Sequence, residues 1–170
     1  MFDTFKKLMF ARQISFEEGR ILLLGRPVMI APVETFAFLV KTLREEMGQK
    51  KADEMIYNAM KKTGIQYMGG IKKGFSMSKL DMIKWSVNSI TLAGWGKVTV
   101  ISADGQKNTF NLRVDDSAVL KELGKSSEPT DIILAGYFAG GGTAIFEKDV
   151  NVKEVKCRAM GDAYCEFITV

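Results

Sequence analysis

The feature that most limits what this chain can fold into is a change of apolar period at Gly94-Trp95-Gly96. Before it, apolar residues recur at three-four spacing: Val33, Phe36, Val40, Leu43 and Met47; then Ala52, Met55, Ile56, Ala59 and Met60; then Leu80, Ile83, Val87 and Ile90. That spacing draws one apolar stripe along a helix. Pro32 and Ser78 stand at plausible starts, and Gly48 and Gly69-Gly70 at plausible stops. Helices are therefore predicted over 33–47, about 51–68 and 78–90. After the change the period is two, with Val98 and Val100 before the turn Ala103-Asp104-Gly105 and Phe110, Leu112 and Val114 after it, the signature of a half-buried antiparallel hairpin. A second hairpin is predicted around Gly25-Arg26-Pro27, a short helix near 2–11, another opening at Asp115-Asp116-Ser117, and a small-residue helix over 130–146. Two strands, about 150–159 and 163–169, close the pattern. Helices and antiparallel strands in blocks predict an α+β fold, an antiparallel sheet with helices packed against it, as a single domain over 1–170.

At 170 residues the chain is of single-domain size, long enough to bury roughly two-thirds of its unfolded surface without disulfides. Its 46% hydrophobic and 26% charged residues are those of an ordinary globular protein. No apolar run reaches the ~18 residues of a membrane span, and the first residues lack a signal peptide's apolar core. No membrane is expected as a partner, and the expected location is cytoplasmic. The net charge of +4 comes from basic residues scattered along the chain; Lys61-Lys62 and Lys72-Lys73 read as solvated helix faces, so no nucleic-acid partner is expected. The chain holds no histidine, which removes Ser-His and Cys-His pairs, histidine bases and His-containing metal motifs. No catalytic residue is assigned.

The only two cysteines, Cys157 and Cys165, flank a Gly161-Asp162 turn, with Glu154 three residues before the first. Two thiolates and a carboxylate gathered by one turn are donors that Zn²⁺ accepts. Core cysteines and a disulfide are the alternatives, and a reducing compartment weighs against the disulfide. Gly140-Gly141-Gly142-Thr143 lacks the context of a phosphate loop and reads as close helix packing. Met55, Met60, Met68, Met77 and Met82 either line an adaptable cavity or fill a core. Trp85, Trp95, Phe110 and Tyr137 are candidate ligand-binding residues, chosen on residue type.

The run from Pro129 through Leu134-Ala-Gly136-Tyr137 to Glu154-x-x-Cys157-Arg-x-x-Gly161-x-x-x-Cys165 resembles the 4-vinyl reductase domain family. That family includes the sensory domain of bacterial regulators that respond to aromatic compounds. The likeness extends upstream through Glu18-Gly19-Arg20-Ile21, the Gly25 turn and Met47-Gly48. It implies a fold similar to that of TRAPP vesicle-tethering subunits, a homodimer, and a zinc site. By that resemblance Glu154, Cys157 and Cys165 match three zinc ligands, and the fourth, a Cys in the sensors, falls on Asp131. Glu154 and Cys157 are an odd number apart, which on a regular strand puts them on opposite faces, so a bulge or strong twist near Val155 must intervene. The sensors hold a phenol-like effector with a histidine and a tryptophan; without histidine, phenol specificity does not carry over. The expectation is a non-enzymatic ligand-binding or sensory module, standing alone, with a small apolar pocket formed by 33–93 and the central hairpin, a small hydrophobic or aromatic ligand, and zinc as cofactor. The alternatives are an enzyme or accessory acting on a tetrapyrrole vinyl group, and a structural adaptor.

Overall fold

A computed structural model describes residues 14–23 and 25–170, so the helix expected near 2–11 lies outside the described residues. They divide into a unit ending at Pro32 and a unit from Val33 to Val170. The first is an antiparallel meander of β1 (Ile14–Glu17), β2 (Arg20–Leu23) and β3 (Arg26–Val28), with Gly19 and Gly25 at positive φ in its turns. The expected hairpin is β2-β3, but Arg26 and Pro27, expected in its turn, pair with Leu23 and Leu22 as part of β3, and β1 adds a strand that the sequence reading lacked.

The second unit carries everything the candidate site needs. Its helices are α1 (Val33–Met47), α2 (Gln49–Gly74), α3 (Lys79–Leu92), α4 (Ala118–Leu123) and α5 (Ile132–Phe146). Its strands, β4 (Lys97–Asp104), β5 (Thr109–Asp115), β6 (Val152–Lys156) and β7 (Cys165–Thr169), form an antiparallel sheet in the order β4-β5-β7-β6. The α+β assignment holds. Ser78 caps α3 as expected, its Oγ accepting from Asp81 N at 3.2 Å and donating to Asp81 Oδ2 at 2.6 Å.

Two local expectations need correction. Gly69-Gly70 does not stop α2, which runs to Gly74. Each glycine costs a helix about 1 kcal/mol relative to alanine, but Met68 and Ile71 on either side are buried in the core, and packing of that face outweighs propensity. The central hairpin does not turn at Ala103-Asp104-Gly105: Ala103 and Asp104 are still paired in β4, and the turn is 105–108. Both strands end further apart, and Asp104 Oδ1 accepts the backbone N–H groups of Gln106 at 2.8 Å and Lys107 at 3.0 Å across a wider loop that Asn108 leaves at φ 58°.

α5 is the centre of this unit. It contains no charged residue, and eleven of its positions are buried. One side packs on the sheet, where Phe138 meets Phe167 edge-on at 5.1 Å and Phe110 stacks on Phe146 at 6.2 Å. The other side lies on α2 at backbone contact. A Cβ on Gly136 would stand 2.5 Å from the carbonyl oxygen of Tyr57, one on Gly64 2.5 Å from that of Tyr137, and one on Gly140 would overlap the carbonyl oxygen of Lys61. Gly136 and Gly140 are thus taken up by α2, the close helix packing expected of this small-residue segment. Gly141 points elsewhere, with only Met68 Cγ at 3.6 Å and Ser86 Oγ at 3.9 Å from an added Cβ.

This contrast is testable. Gly140→Ala is expected to lower stability by about 1–3 kcal/mol through overpacking against backbone that cannot yield. Gly141→Ala is expected to be neutral or to gain up to about 1 kcal/mol of helix propensity. Denaturant unfolding of the two variants measures both.

Candidate metal centre

The parity problem in β6 is solved by the backbone. Glu154 pairs with Phe167 and Lys156 with Glu166, leaving Val155 without a partner as a bulge. The extra residue resets the alternation, so that Glu154 and Cys157 reach the same side. Past β6, Cys157 is extended, Arg158–Met160 form a 3₁₀ turn, and Gly161 closes it at φ 105°. Asp162 Oδ2 accepts the Cys157 N–H at 2.8 Å, while the Cys157 carbonyl accepts Met160 N at 3.0 Å and Asp162 N at 3.3 Å. Cys165 opens β7 opposite Val114 on the buried face. One donor atom each from Glu154, Cys157 and Cys165 then lies within 4.8 Å of the others.

Backbone donors are aimed at both sulfurs. Arg158 N–H donates to Cys165 Sγ at 3.4 Å, and the N–H groups of Thr130 and Ala159 face the Cys157 sulfur. Thr130 is itself held by Arg44, whose Nη1 donates to Thr130 Oγ1 at 2.7 Å while its Nε pairs with Asp53 at 2.7 Å. Amides turned toward sulfur stabilise thiolates, the protonation state that binds metal.

The charge balance points the same way. Cys157 is drawn down to about 5 by the Cys165 S–H directed at it, and the same contact pushes Cys165 far above the usual thiol range. Burial raises Glu154 to about 8, with Asp131 beside it adding to the effect. Burial also raises Asp131 to about 6, opposed by its hydrogen bond from Ser117. Two basic residues of the same segment are engaged elsewhere: Lys156 with Glu166 at 2.7 Å and Arg158 with Asp116 at 2.6 Å. Glu154 Oε2 accepts Asp131 N–H at 2.9 Å, but Oε1 is buried with no hydrogen-bond partner. An orphaned carboxylate oxygen beside two sulfurs fits a soft or borderline divalent cation, and the thiolates disfavour Mg²⁺ and Ca²⁺. The group can hold a metal ion.

Asp131 stands beside this group rather than in it. Its Oδ1 caps α5 by accepting Leu134 N–H at 3.3 Å, and its Oδ2 accepts the Ser117 hydroxyl at 2.6 Å. Ser117 in turn caps α4 through Leu120 N–H at 3.4 Å. Both residues are buried, so one hydrogen bond joins the N-termini of two helices beside Glu154. Sequence reading missed Ser117 as part of the site: its capping role was legible, but nothing in the spacing pairs it with Asp131.

The aromatic candidates are divided. Trp95 and Tyr137 share the wall of a small apolar cavity of about 10 Å³ with Met60, Ile90, Ile133 and Leu134. Trp95 also packs on Phe36 at 5.1 Å, and its carbonyl accepts Ala118 N–H at 3.1 Å, next to Ser117. Trp85 stacks on Tyr67 at 6.2 Å, and Tyr67 lies 6.3 Å from Tyr137. Phe110 is on the sheet against Phe146 and does not line the cavity. Of the methionines, Met60 is the one at the cavity. A separate cleft of about 300 Å³ is lined by the apolar surface of Tyr57, Ile132, Ala135 and Val152, by the acids Asp131 and Glu154, and by Lys153.

Residues 110–170 match the family model of the 4-vinyl reductase domain, which bears out the resemblance read from the cysteine motif. The fold is similar to that of the phenol-responsive sensory domain of the transcription activator PoxR, solved with phenol, at TM-score 0.83 and 20% identity, covering 94% of this chain and 85% of that one. It is also similar to a trafficking protein particle complex subunit 3 from Naegleria fowleri covalently bound to palmitic acid (TM-score 0.56, 16% identity, covering 81% and 93%). A vinyl-4-reductase family protein from Methanocaldococcus jannaschii aligns at TM-score 0.48 and 15% identity over 84% and 96%. No curated protein matches the sequence.

Ser117→Ala removes a cap and leaves Asp131 with a buried, unanswered oxygen. A loss of about 1–3 kcal/mol is expected, read by thermal or denaturant unfolding. A loss near zero would mean that the Ser117–Asp131 bond contributes nothing.

Proposed function

We propose that the chain is a non-enzymatic ligand-binding or sensory module for a small hydrophobic or aromatic molecule, working in a reducing compartment such as the cytoplasm. Zinc is held by Glu154, Cys157 and Cys165, with Asp131 adjacent to the set. The observation that carries this reading is the position of α5. Its N-terminus meets the donor group through Asp131, while Ile133, Leu134 and Tyr137 on its first turns wall the cavity opposite Trp95. A metal that fixes the β6–β7 turn thereby fixes one wall of the cavity. The similar folds described above were solved with phenol and with palmitic acid, which supports an apolar ligand for this architecture.

At about 10 Å³ the cavity has room for little more than a water molecule, whereas a cavity that admits benzene measures about 150 Å³. Entry of an aromatic ring therefore requires side chains to move, and Met60, unbranched and flexible, is the wall residue best able to do so. A tetrapyrrole gains no support from a cavity of that size. The resemblance further supports a homodimer in which N-terminal helical segments form the interface.

Protein purified without chelator is expected to carry about one zinc per chain, with binding accompanied by proton release because both thiols must ionise. Metal analysis checks the first point and calorimetry in buffers of different ionisation enthalpy the second. Cys157→Ser is expected to lower the melting temperature of the metal-loaded protein and to lose most of that effect in excess chelator. Asp131→Ala is expected to cost about 1–2 kcal/mol in either condition, because it removes the cap of α5. Equal behaviour of the two variants would remove the metal from the reading. Toluene is expected to raise the melting temperature and to perturb tryptophan fluorescence saturably in the wild type, with the response lost in Trp95→Phe; light scattering at micromolar concentration checks the dimer.

A further inference from the structure

We propose that Glu154, Cys157 and Cys165 leave one coordination position of their metal open toward the cleft beside α5, and that this position takes a neutral nitrogen donor on a small apolar body, such as an N-heterocycle. This rests on the metal reading above.

The number of donors is the first argument. Three side chains of the described residues converge, and a tetrahedral zinc site needs four. Asp131, a further carboxylate beside the group, has both oxygens engaged: Oδ1 with Leu134 N–H at the helix N-terminus and Oδ2 with the Ser117 hydroxyl at 2.6 Å; Asp162, another, accepts the Cys157 N–H at 2.8 Å. Moving Asp131 onto a metal would trade the cap of α5 and a buried hydrogen bond for one bond to the ion.

Access is the second argument. Cys157 and Cys165 are fully buried and do not line the cleft of about 300 Å³, whereas Glu154 and Asp131 are both in its wall. From this cleft an incoming donor therefore approaches along the carboxylate side. The volume suits a molecule of a few heavy atoms to about a dozen, within the lower range of small-ligand sites.

Charge and lining select the ligand class. Two thiolates and one carboxylate already place three negative charges around a divalent ion, and Asp131 adds another nearby. A fourth anionic donor would add to that excess at the ion itself, which Lys153 in the cleft lining answers only from outside the donor set, while a neutral nitrogen would not. Tyr57, Ile132, Ala135 and Val152 supply apolar surface for the body of the molecule.

The test uses the full chain loaded with Co²⁺, whose visible bands report coordination, and imidazole as the probe. Thiolate-to-cobalt charge transfer should appear on loading, and imidazole should then shift the visible bands saturably. Acetate at the same concentrations should not. Ile132→Trp, which fills the cleft without touching a donor, should weaken the imidazole response at least tenfold, and Asp131→Cys, which supplies a fourth thiolate, should abolish it. Charge transfer without any imidazole response in the wild type overturns the open position. If the response then emerges in Asp131→Asn, Asp131 is the fourth ligand. A response undiminished in Ile132→Trp overturns the cleft as its route. Absence of charge transfer on loading overturns the metal reading itself, and this inference with it.

Discussion

The second unit depends on peptide groups of α2 and α5 lying against one another with no side chain between them. Gly64 on one helix and Gly136 and Gly140 on the other make that possible, and the backbone carbonyls of Tyr57, Lys61 and Tyr137 fill the space that Cβ atoms would take. Contact this close turns two helices into one rigid layer, because neither can rotate or slide without a carbonyl striking a Cα. It also leaves the opposite side of α5 free to carry bulk. Phe138 and Phe146 there dock on Phe167 and Phe110 of the sheet. The N-terminus of α5 then falls against β6, and Asp131 N–H meets Glu154.

Around that meeting point the chain concentrates acids, and two neighbouring bases turn to partners elsewhere. Lys156 lies over the ring of Tyr164 and pairs with Glu166, while Arg158 pairs with Asp116. Glu154, Asp131 and the two thiols share a buried region without a compensating side-chain cation from these neighbours. Buried anions without partners are costly, and the amide groups of Thr130, Arg158 and Ala159 offset that cost at the sulfurs. A divalent ion answers this arrangement in a way that one more lysine would not, since it also draws the thiols into the thiolate form.

How much of this could be read from residues alone divides along physical lines. The helices of 33–47 and 78–90 were legible because amphipathic period and capping agree. The bulge at Val155 was legible as a parity argument: two donors three apart on a strand cannot share a face without it. The run-through of Gly69-Gly70 was not, because the packing of Met68 and Ile71 that overrides the glycines is a tertiary fact. Nor was the partner of the glycine stripe, since Gly64 carries no mark that separates it from any other helical glycine. At the site, the convergence of Glu154, Cys157 and Cys165 followed from local spacing. The bond from Ser117 to Asp131 and the facing of Trp95 and Tyr137 join segments that are distant in sequence. Phe110, chosen by type, belongs to the sheet core.

The bulge makes residue number, rather than residue identity, the property that selection must guard in β6. Val155 is half exposed and contacts the site only through the length of backbone it contributes, so most side chains would serve there. A codon deleted at 155 is another matter: the pleat would return to simple alternation and carry Glu154 to the face opposite Cys157. Substitution and deletion at one position therefore have opposite tolerances, and lineages that drift freely in sequence along this strand should still align across it without gaps.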